Sequence, residues 1–265
     1  MPTAKATKKK PVPRKPAPTP RLTLPAVMRE LEQAGTATTR KTYLRHGAKE
    51  PLFGVSFATL KDLTKRIDID HELALALWNT GNFDARNLAV KIVDPARMTA
   101  SELDRWVREA TVARLGGSYV AMLAAEGSHA IAKVSAWLAA KDMPSRSAGW
   151  ILLGQLAQRD ETLPDSFFAT HLAEIERTMH TAPNGEREPM NGAVITIGGR
   201  SAGLRKAALA AAKRIGKVEI DHGDTACKTA DAGEVIEKTW AHAKTKGFAS
   251  PAAQERTRET PRRRC

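Results

Sequence analysis

The sequence is poor in the features that mark secreted, membrane-bound or cofactor-binding proteins. Its 265 residues include two cysteines, Cys227 and Cys265, and no apolar run long enough for a membrane span or a signal peptide. We therefore expect a reduced, cytoplasmic protein without a disulfide. There is no P-loop, dinucleotide-binding glycine motif or nucleophile elbow, so no cofactor is expected.

A metal site is not expected either. Asp221, His222, Asp224 and Cys227 lie close together, but their spacing matches no zinc motif and no second pair of ligands follows. The better interpretation is a turn in which Asp221 and Gly223 bend the chain and Cys227 points inward.

The net charge of +13 is concentrated at the two ends of the chain. Residues 1–21 carry +7 and residues 244–265 carry +5, which leaves +1 for residues 22–243. A nearly neutral domain cannot attract a polyanion by bulk charge, so a nucleic-acid site within it requires local clustering of cations. Composition predicts a disordered basic Lys/Pro-rich arm over residues 1–21, a folded domain over residues 22–247 and a disordered basic C-terminal tail over residues 248–265. The arm and the tail are expected to bind phosphate, and the alternative for the arm is a solubilising extension without a partner.

Between the two ends, apolar residues recur with the period of an α-helix. From Ala85 to Val93, for example, they fall at i, i+3, i+4, i+7 and i+8. Ser56, Asp70 and Asn82 stand where helix N-caps belong. The turns between these helices are short, which favours antiparallel neighbours.

The helix pattern continues in pairs to the end of the folded region. Thr99 and Glu102 have the spacing of a capping box. The β-branched run AVITIG at 193–198 could form a strand, but it is short and lies between helical neighbours, so we favour a helix. Paired helices that recur about every 35–45 residues predict an all-α protein, an α-solenoid of HEAT type. An irregular helical bundle is the alternative.

Several motifs resemble those of a known family. The stretches EPLFGVSFATLKDL, ALWNTGNFDARNLAVKIV and WVREA are similar to those of the bacterial DNA alkylation repair family, the HEAT-like-repeat DNA glycosylases of the AlkD type. The resemblance covers about residues 40–215. HTAPNGEREPMNGAVITIGG and KVEIDHGDTACK look like the C-terminal motifs of one subgroup, whose chemistry they do not reveal. The resemblance implies a monomeric, bacterial, curved solenoid that holds duplex DNA on its concave face and removes alkylated purines, with the nucleoid as an alternative location.

The catalytic residues of that family are not found at the matching positions of this sequence. Active members of the family resemble one another in a Trp-Trp-Asp run, which should fall between Ala110 and Ser118, where this sequence reads ATVARLGGS. The carboxylates near the expected centre are Asp104, Glu109 and Glu126, and we take Glu109 and Glu126 as candidates for a relocated catalytic group.

Three arginines near the starts of helices are candidates for contact with DNA. Arg86, Arg146 and Arg187 oppose the helix dipole unless an anion such as a phosphate joins them, and in the family the residue matching Arg146 faces DNA. The alternative is a solvated arginine or a local ion pair, for example Arg86 with Asp84. Trp150 lies off its helix's apolar stripe and could face a groove, although packing against a neighbouring repeat is the more common outcome.

Three functions therefore remain open from the sequence. They are a DNA glycosylase with relocated catalytic groups, a non-catalytic DNA-binding relative, and a HEAT-type scaffold for proteins.

Overall fold

The structure is a computed structural model that describes residues 21–110, 118–223 and 227–264. Within these ranges the chain is helical and contains no strand. The first seven helices are α1 (Leu24–Ala34), α2 (Ala37–Arg45), α3 (Phe57–Ile67), α4 (His71–Asn79), α5 (Phe83–Ile92), α6 (Ala100–Glu109) and α7 (Ala121–Ala125). The others are α8 (Ala130–Leu138), α9 (Met143–Arg159), α10 (Asp165–Thr178), α11 (Asn184–Gly198), α12 (Ala202–Ile215), α13 (Ala232–Thr245) and α14 (Pro251–Arg256).

The helix boundaries follow from local side chains, as the sequence predicts. Ser56, Asp70 and Asn82 each accept a hydrogen bond from a backbone amide in the first turn of the helix that follows. Thr99 and Glu102 form the capping box of α6. The run at 193–198 is the last part of α11, so the preference for a helix there is confirmed.

Three antiparallel pairs place the functional side chains: α4 with α5, α8 with α9, and α10 with α11. We call α5, α9 and α11 the second helices, the edge at which they begin the N-terminal edge, and the edge at which they end the C-terminal edge. The packing of α9 against α11 is close because Gly154 has no side chain: a Cβ atom there would lie 2.6 Å from Oγ1 of Thr196. Pro189 lies inside α11 and cannot bond the carbonyl of Gly185, which instead accepts a hydrogen bond of 3.0 Å from Oγ of Ser147 on α9.

The FGV turn at residues 53–55 and the DAR sequence at residues 84–86 on α5 are joined by the buried carboxylate of Asp84. Asp84 on α5 is fully buried and accepts from the backbone amides of Phe53 (2.6 Å), Gly54 (3.0 Å) and Val55 (2.9 Å). Gly54 has φ +83°, and a Cβ atom on it would lie 2.5 Å from the backbone nitrogen of Arg40. The motif thus fixes how the segment before α3 meets α5.

The C-terminal segment differs from the free basic tail predicted by composition. Residues 248–264 include α14, which packs on α9 and α13, and Arg262 beyond it is only 2% exposed. Composition shows the charge of the segment but not its tertiary partners, and those of Arg256 and Arg262 lie 98 and 136 residues away in sequence. The arm predicted for residues 1–21 lies, apart from Arg21, outside the described residues.

We expect Asp84→Ala to lower the free energy of unfolding by about 3 kcal/mol or more, because it leaves three backbone donors without their acceptor. Urea denaturation followed by circular dichroism measures the change. Asp62→Ala, an exposed carboxylate on α3, is the matched control and should change stability by less than about 0.5 kcal/mol. Equal effects of the two substitutions would contradict the role assigned to Asp84.

Candidate nucleic-acid interface

Each of the three second helices carries an arginine at the same position, four residues after its N-cap. The pairs of cap and arginine are Asn82 with Arg86, Asp142 with Arg146, and Pro183 with Arg187. All three arginines therefore lie in the first or second turn, at the N-terminal edge of the solenoid.

The guanidinium groups turn back onto the carbonyls that end the preceding helix. Nε of Arg86 donates to the carbonyl of Trp78 at 3.2 Å. Nη1 of Arg146 donates to the carbonyls of residues 140 and 141, just beyond α8, at 3.0 and 2.6 Å. Arg187 donates to the carbonyls of residues 180 and 182, just beyond α10, at 3.2 and 2.9 Å. Carbonyls at and just after a helix end carry partial negative charge, so they stabilise each arginine without any phosphate.

Carboxylates complete the surroundings of two of these arginines. Arg86 forms an ion pair with Glu109 at 3.3 Å, not with Asp84, and its side chain is 17% exposed. Burial lowers the pKa of Arg86, and the charge of Glu109 opposes that shift. Arg146 forms an ion pair of 2.7 Å with the buried Glu186 on α11, and the hydrogen bond that Arg146 donates to Glu186 raises the pKa of Arg146. These arginines therefore bind protein groups from two neighbouring repeats.

The structure does not bring the two candidate catalytic carboxylates together. Glu109 accepts from Nε1 of Trp78 at 2.6 Å and contacts Arg86 and Arg105, at the N-terminal edge. Glu126 accepts from Nε of Arg262 with both oxygens at 2.9 Å, at the C-terminal edge. Both carboxylates are thus neutralised by cations. Residues 111–117, where the Trp-Trp-Asp run of the family would fall, lie outside the described residues.

Asp104 and Trp150 are also accounted for by packing. Asp104 accepts from Nζ of Lys133 at 2.6 Å and from Nε1 of Trp137 at 2.7 Å. Trp150 is 5% exposed and belongs to the main hydrophobic core. Its ring is not available to a groove, which corrects the expectation that it contacts DNA, because α9 is packed by helices on several sides.

The two C-terminal motifs that the sequence left without a role bind each other. Three side chains on α11, at i, i+3 and i+7, and His180 in the turn before this helix bind carbonyls of residues 215, 219, 221 and 230. The three on α11 are Asn184, Arg187 and Asn191. Asn184 both donates to the carbonyl of Asp221 and accepts from its amide, each at 2.8 Å. Nδ2 of Asn191 donates to the carbonyl of residue 230 at 2.8 Å. The helical spacing of Asn184, Arg187 and Asn191 was the signal in the sequence that could have identified this contact between the two motifs.

The turn at 221–223 forms as predicted, but not the burial of Cys227. Oδ1 of Asp221 accepts from the amide of Gly223 at 2.8 Å, and Gly223 has φ +58°. Nε2 of His222 lies 3.1 Å from Oγ1 of Thr229. Cys227 is exposed rather than buried, and Asp224 lies outside the described residues. Among the residues that the structure describes, no three ligands are grouped as a metal would require.

Exposed cations lie on the segments around the starts of the second helices. Because the amide of Phe83 donates to the carbonyl of Pro51, the segment with Arg45 and Lys49 lies against the start of α5. Among the described residues, further exposed cations at this edge are Arg108 at the end of α6, Lys141 just before the cap of α9, and Lys217 and Lys228 in the segment bound by α11. Electrostatic interaction between Arg108 and Asp142 connects the end of α6 with the start of α9. The N-terminal edge therefore combines helix N-termini with exposed positive charge, which together attract anions.

Comparison with known proteins places the chain in a family. Residues 27–234 match the family described as DNA alkylation repair enzyme, and the chain belongs to that family. A solved structure with 32% sequence identity superposes with a TM-score of 0.78 over 87% of this chain and 98% of that one. It represents a new family of proteins related to the HEAT-like repeat DNA glycosylases with affinity for branched DNA structures. The all-α, HEAT-type solenoid predicted from the sequence is thereby confirmed.

Two curated relatives cover a similar share of the chain. They are uncharacterised proteins of Listeria monocytogenes and Listeria innocua, 29% and 28% identical over 216 residues, which is 79% of this chain and 93% of each relative. In the described ranges, no helix has the length and apolar character needed to cross a membrane.

We expect Arg146→Ala to destabilise the domain by about 2–4 kcal/mol, because it leaves a buried carboxylate and two helix-end carbonyls without their donor. The exposed neighbour Lys141 supplies the control, and its replacement by Ala should cost less than about 0.5 kcal/mol. Urea denaturation of both variants measures the difference. Wild-type stability in the Arg146 variant would contradict a structural role and return this arginine to the set of phosphate ligands.

Proposed function

We propose that this protein binds duplex and branched DNA as a monomer, through phosphate contacts along its N-terminal edge. The observation that carries the proposal is the coincidence, at one edge, of the N-termini of α5, α9 and α11 with exposed cations on the adjoining segments. The described affinity of the related solved structure for branched DNA supports the same class of ligand.

The contacts proposed here differ from those expected from the sequence. Arg86, Arg146 and Arg187 donate to helix-end carbonyls, so they are positioning residues that shape the edge. The exposed Arg108, Lys141 and Lys228 have side chains that a phosphate can reach. Such contacts fix the position of DNA without reading its sequence.

Base excision by Glu109 or Glu126 is not part of the proposal. A carboxylate that stabilises a developing cation must turn toward the substrate, and each of these already accepts hydrogen bonds from arginine. A scaffold for proteins is also less well supported, because the large exposed apolar side chains in the described part of the chain are scattered over three helices and the turn between α3 and α4. They are Leu44, Ile69, Ile131 and Met143.

The binding proposal predicts a change in the salt dependence of affinity. Replacing Arg108, Lys141 and Lys228 together by Ala should flatten the log–log slope against salt by up to about 2.7, at about 0.9 for each lost phosphate contact. Fluorescence anisotropy with a four-way junction and with a linear duplex of the same sequence, at several salt concentrations, measures the slope.

A second triple variant controls for bulk charge in this experiment. Lys238, Lys244 and Lys246, on and just after α13, are exposed, and replacing them by Ala removes the same total charge. Their loss should leave the slope nearly unchanged if contacts at the N-terminal edge decide binding. Equal changes in both triple variants would show that bulk charge governs binding and would refute the proposed interface.

The full-length protein, in excess over methylated duplex DNA, should release no methylated purine above the spontaneous rate. A single-turnover assay that follows released bases by chromatography tests this expectation. Release above background that Glu109→Gln abolishes would instead establish a glycosylase with a relocated carboxylate.

A further inference from the structure

The extensively packed helices that the structure describes fall into two groups. α1, α3, α4 and α5 pack on one another, and α6 to α14 pack on one another, with no extensive helix–helix packing between the groups. The chain passes from the first group to the second through the short connection between α5 and α6, which contains a single 3₁₀ turn at Pro95–Arg97. One hydrophobic core nevertheless runs through both groups and contains buried side chains of α4, α5 and α6. Specific side-chain contacts between the groups add to this packing.

One set of contacts between the groups lies near the N-terminal edge. The rings of Trp78 and Trp106 stack with centroids 4.0 Å apart and planes 2° from parallel. Glu109, from the second group, binds Trp78 and Arg86 of the first. These contacts connect α6 to α4 and α5.

The other set is supplied by residues 250–264, which we call the C-terminal strap. It starts at the end of α11, where the amide of Ala252 donates to the carbonyl of Gly199 at 3.0 Å. It then crosses the end of α9, where Nη1 of Arg256 donates to the carbonyl of Gln158 at 3.2 Å. It finishes against the first group, at the end of α5.

Arg262 makes the contact with the first group. It is 2% exposed, and its Nη1 donates to the carbonyls of Val90, Lys91 and Val93 at 2.8, 3.0 and 3.3 Å. Its Nε donates to both oxygens of Glu126, which follows α7 in the second group. One guanidinium thus binds backbone of the first group and a carboxylate of the second.

Lys91 binds the strap in return. Its side chain is fully buried, and its Nζ donates to the carbonyl of Arg262 at 2.7 Å. Arg263 adds an ion pair with Asp68, just after α3, at 2.7 Å. Buried charges are retained only where hydrogen bonds replace their hydration, so this cluster is an internal joint and not a surface contact.

We propose that the C-terminal strap is a clasp that fixes the first group of helices against the second and so sets the curvature of the solenoid. The clasp lies at the C-terminal edge and the Trp78–Trp106 joint lies nearer the N-terminal edge. Two separated joints prevent rotation about either one. The proposal does not depend on DNA binding, since the contacts that carry it are all within the chain.

Spin labels on the two groups test the clasp directly. Cysteines replacing the exposed Lys61 on α3 and Lys206 on α12, in a chain with Cys227→Ser and Cys265→Ser, carry the labels. Double electron–electron resonance should give one narrow distance in the otherwise unchanged chain. Arg262→Ala and Glu126→Gln should each at least double the width of the distribution, while Arg258→Ala, an exposed arginine on the same strap, should not change it.

Hydrogen exchange and proteolysis provide readouts that do not need labels. Amides in the last turn of α5 should exchange at least about tenfold faster in Arg262→Ala than in Arg258→Ala. Glu126→Gln retains every arginine of the strap, and trypsin should cut its strap at least about tenfold faster than that of the wild type.

Arg262→Lys is included because Arg262→Ala removes a buried charge and could prevent folding. It keeps the charge but has neither the planar fork nor enough donors for three carbonyls and a carboxylate, so its distance distribution should be intermediate in width. Narrow, unshifted distances in Arg262→Ala, Arg262→Lys and Glu126→Gln, each shown to be folded by circular dichroism, would overturn the proposal.

Discussion

The end of an α-helix leaves carbonyl groups without partners, and in this protein arginine side chains supply the missing donors. Arg86, Arg146 and Arg187 do so at the N-terminal edge, where the first helix of each pair ends. Arg200 and Arg262 do so at the C-terminal edge, where α9 and α5 end. A guanidinium has five donors in a fixed plane and keeps its charge when buried, so it can close a helix end and join it to another helix at once. The stacking of repeats depends on this contact.

This constraint changes which residues are available for function. A buried arginine whose donors are used within the protein cannot release them to a phosphate without leaving carbonyls unpaired, which costs about 1–3 kcal/mol for each group. DNA is therefore expected to bind the exposed cations beside these arginines. The same reasoning applies to Glu109 and Glu126: each is held by arginine, so its charge serves the fold and is not directed at a substrate.

Local features of the fold could be predicted from the sequence, but distant partners could not. Caps such as Ser56 and the helix at 193–198 depend on neighbours within a few residues, and there prediction and structure agree. The sequence shows that Arg86 opposes the dipole of its own helix. Its partner Glu109 lies 23 residues away, and the sequence suggests Glu109 only as a candidate catalytic group. Arg262 was counted as tail charge because its partners are 136 or more residues distant. Charge can be counted from composition, whereas burial of that charge depends on tertiary contacts.

The two edges of the solenoid consequently differ in how much positive charge they expose. At the N-terminal edge the arginines are half-buried and exposed cations surround them, so positive charge remains directed outward. At the C-terminal edge the basic strap lies against helix ends that carry partial negative charge, and all five of its arginines pair with carboxylates. Much of the positive charge counted in the C-terminal segment is therefore neutralised within the protein. The exposed cations at the N-terminal edge therefore remain accessible to an anion, whereas Arg262 and Arg263 of the strap do not, and this difference arises from where the arginines find their partners.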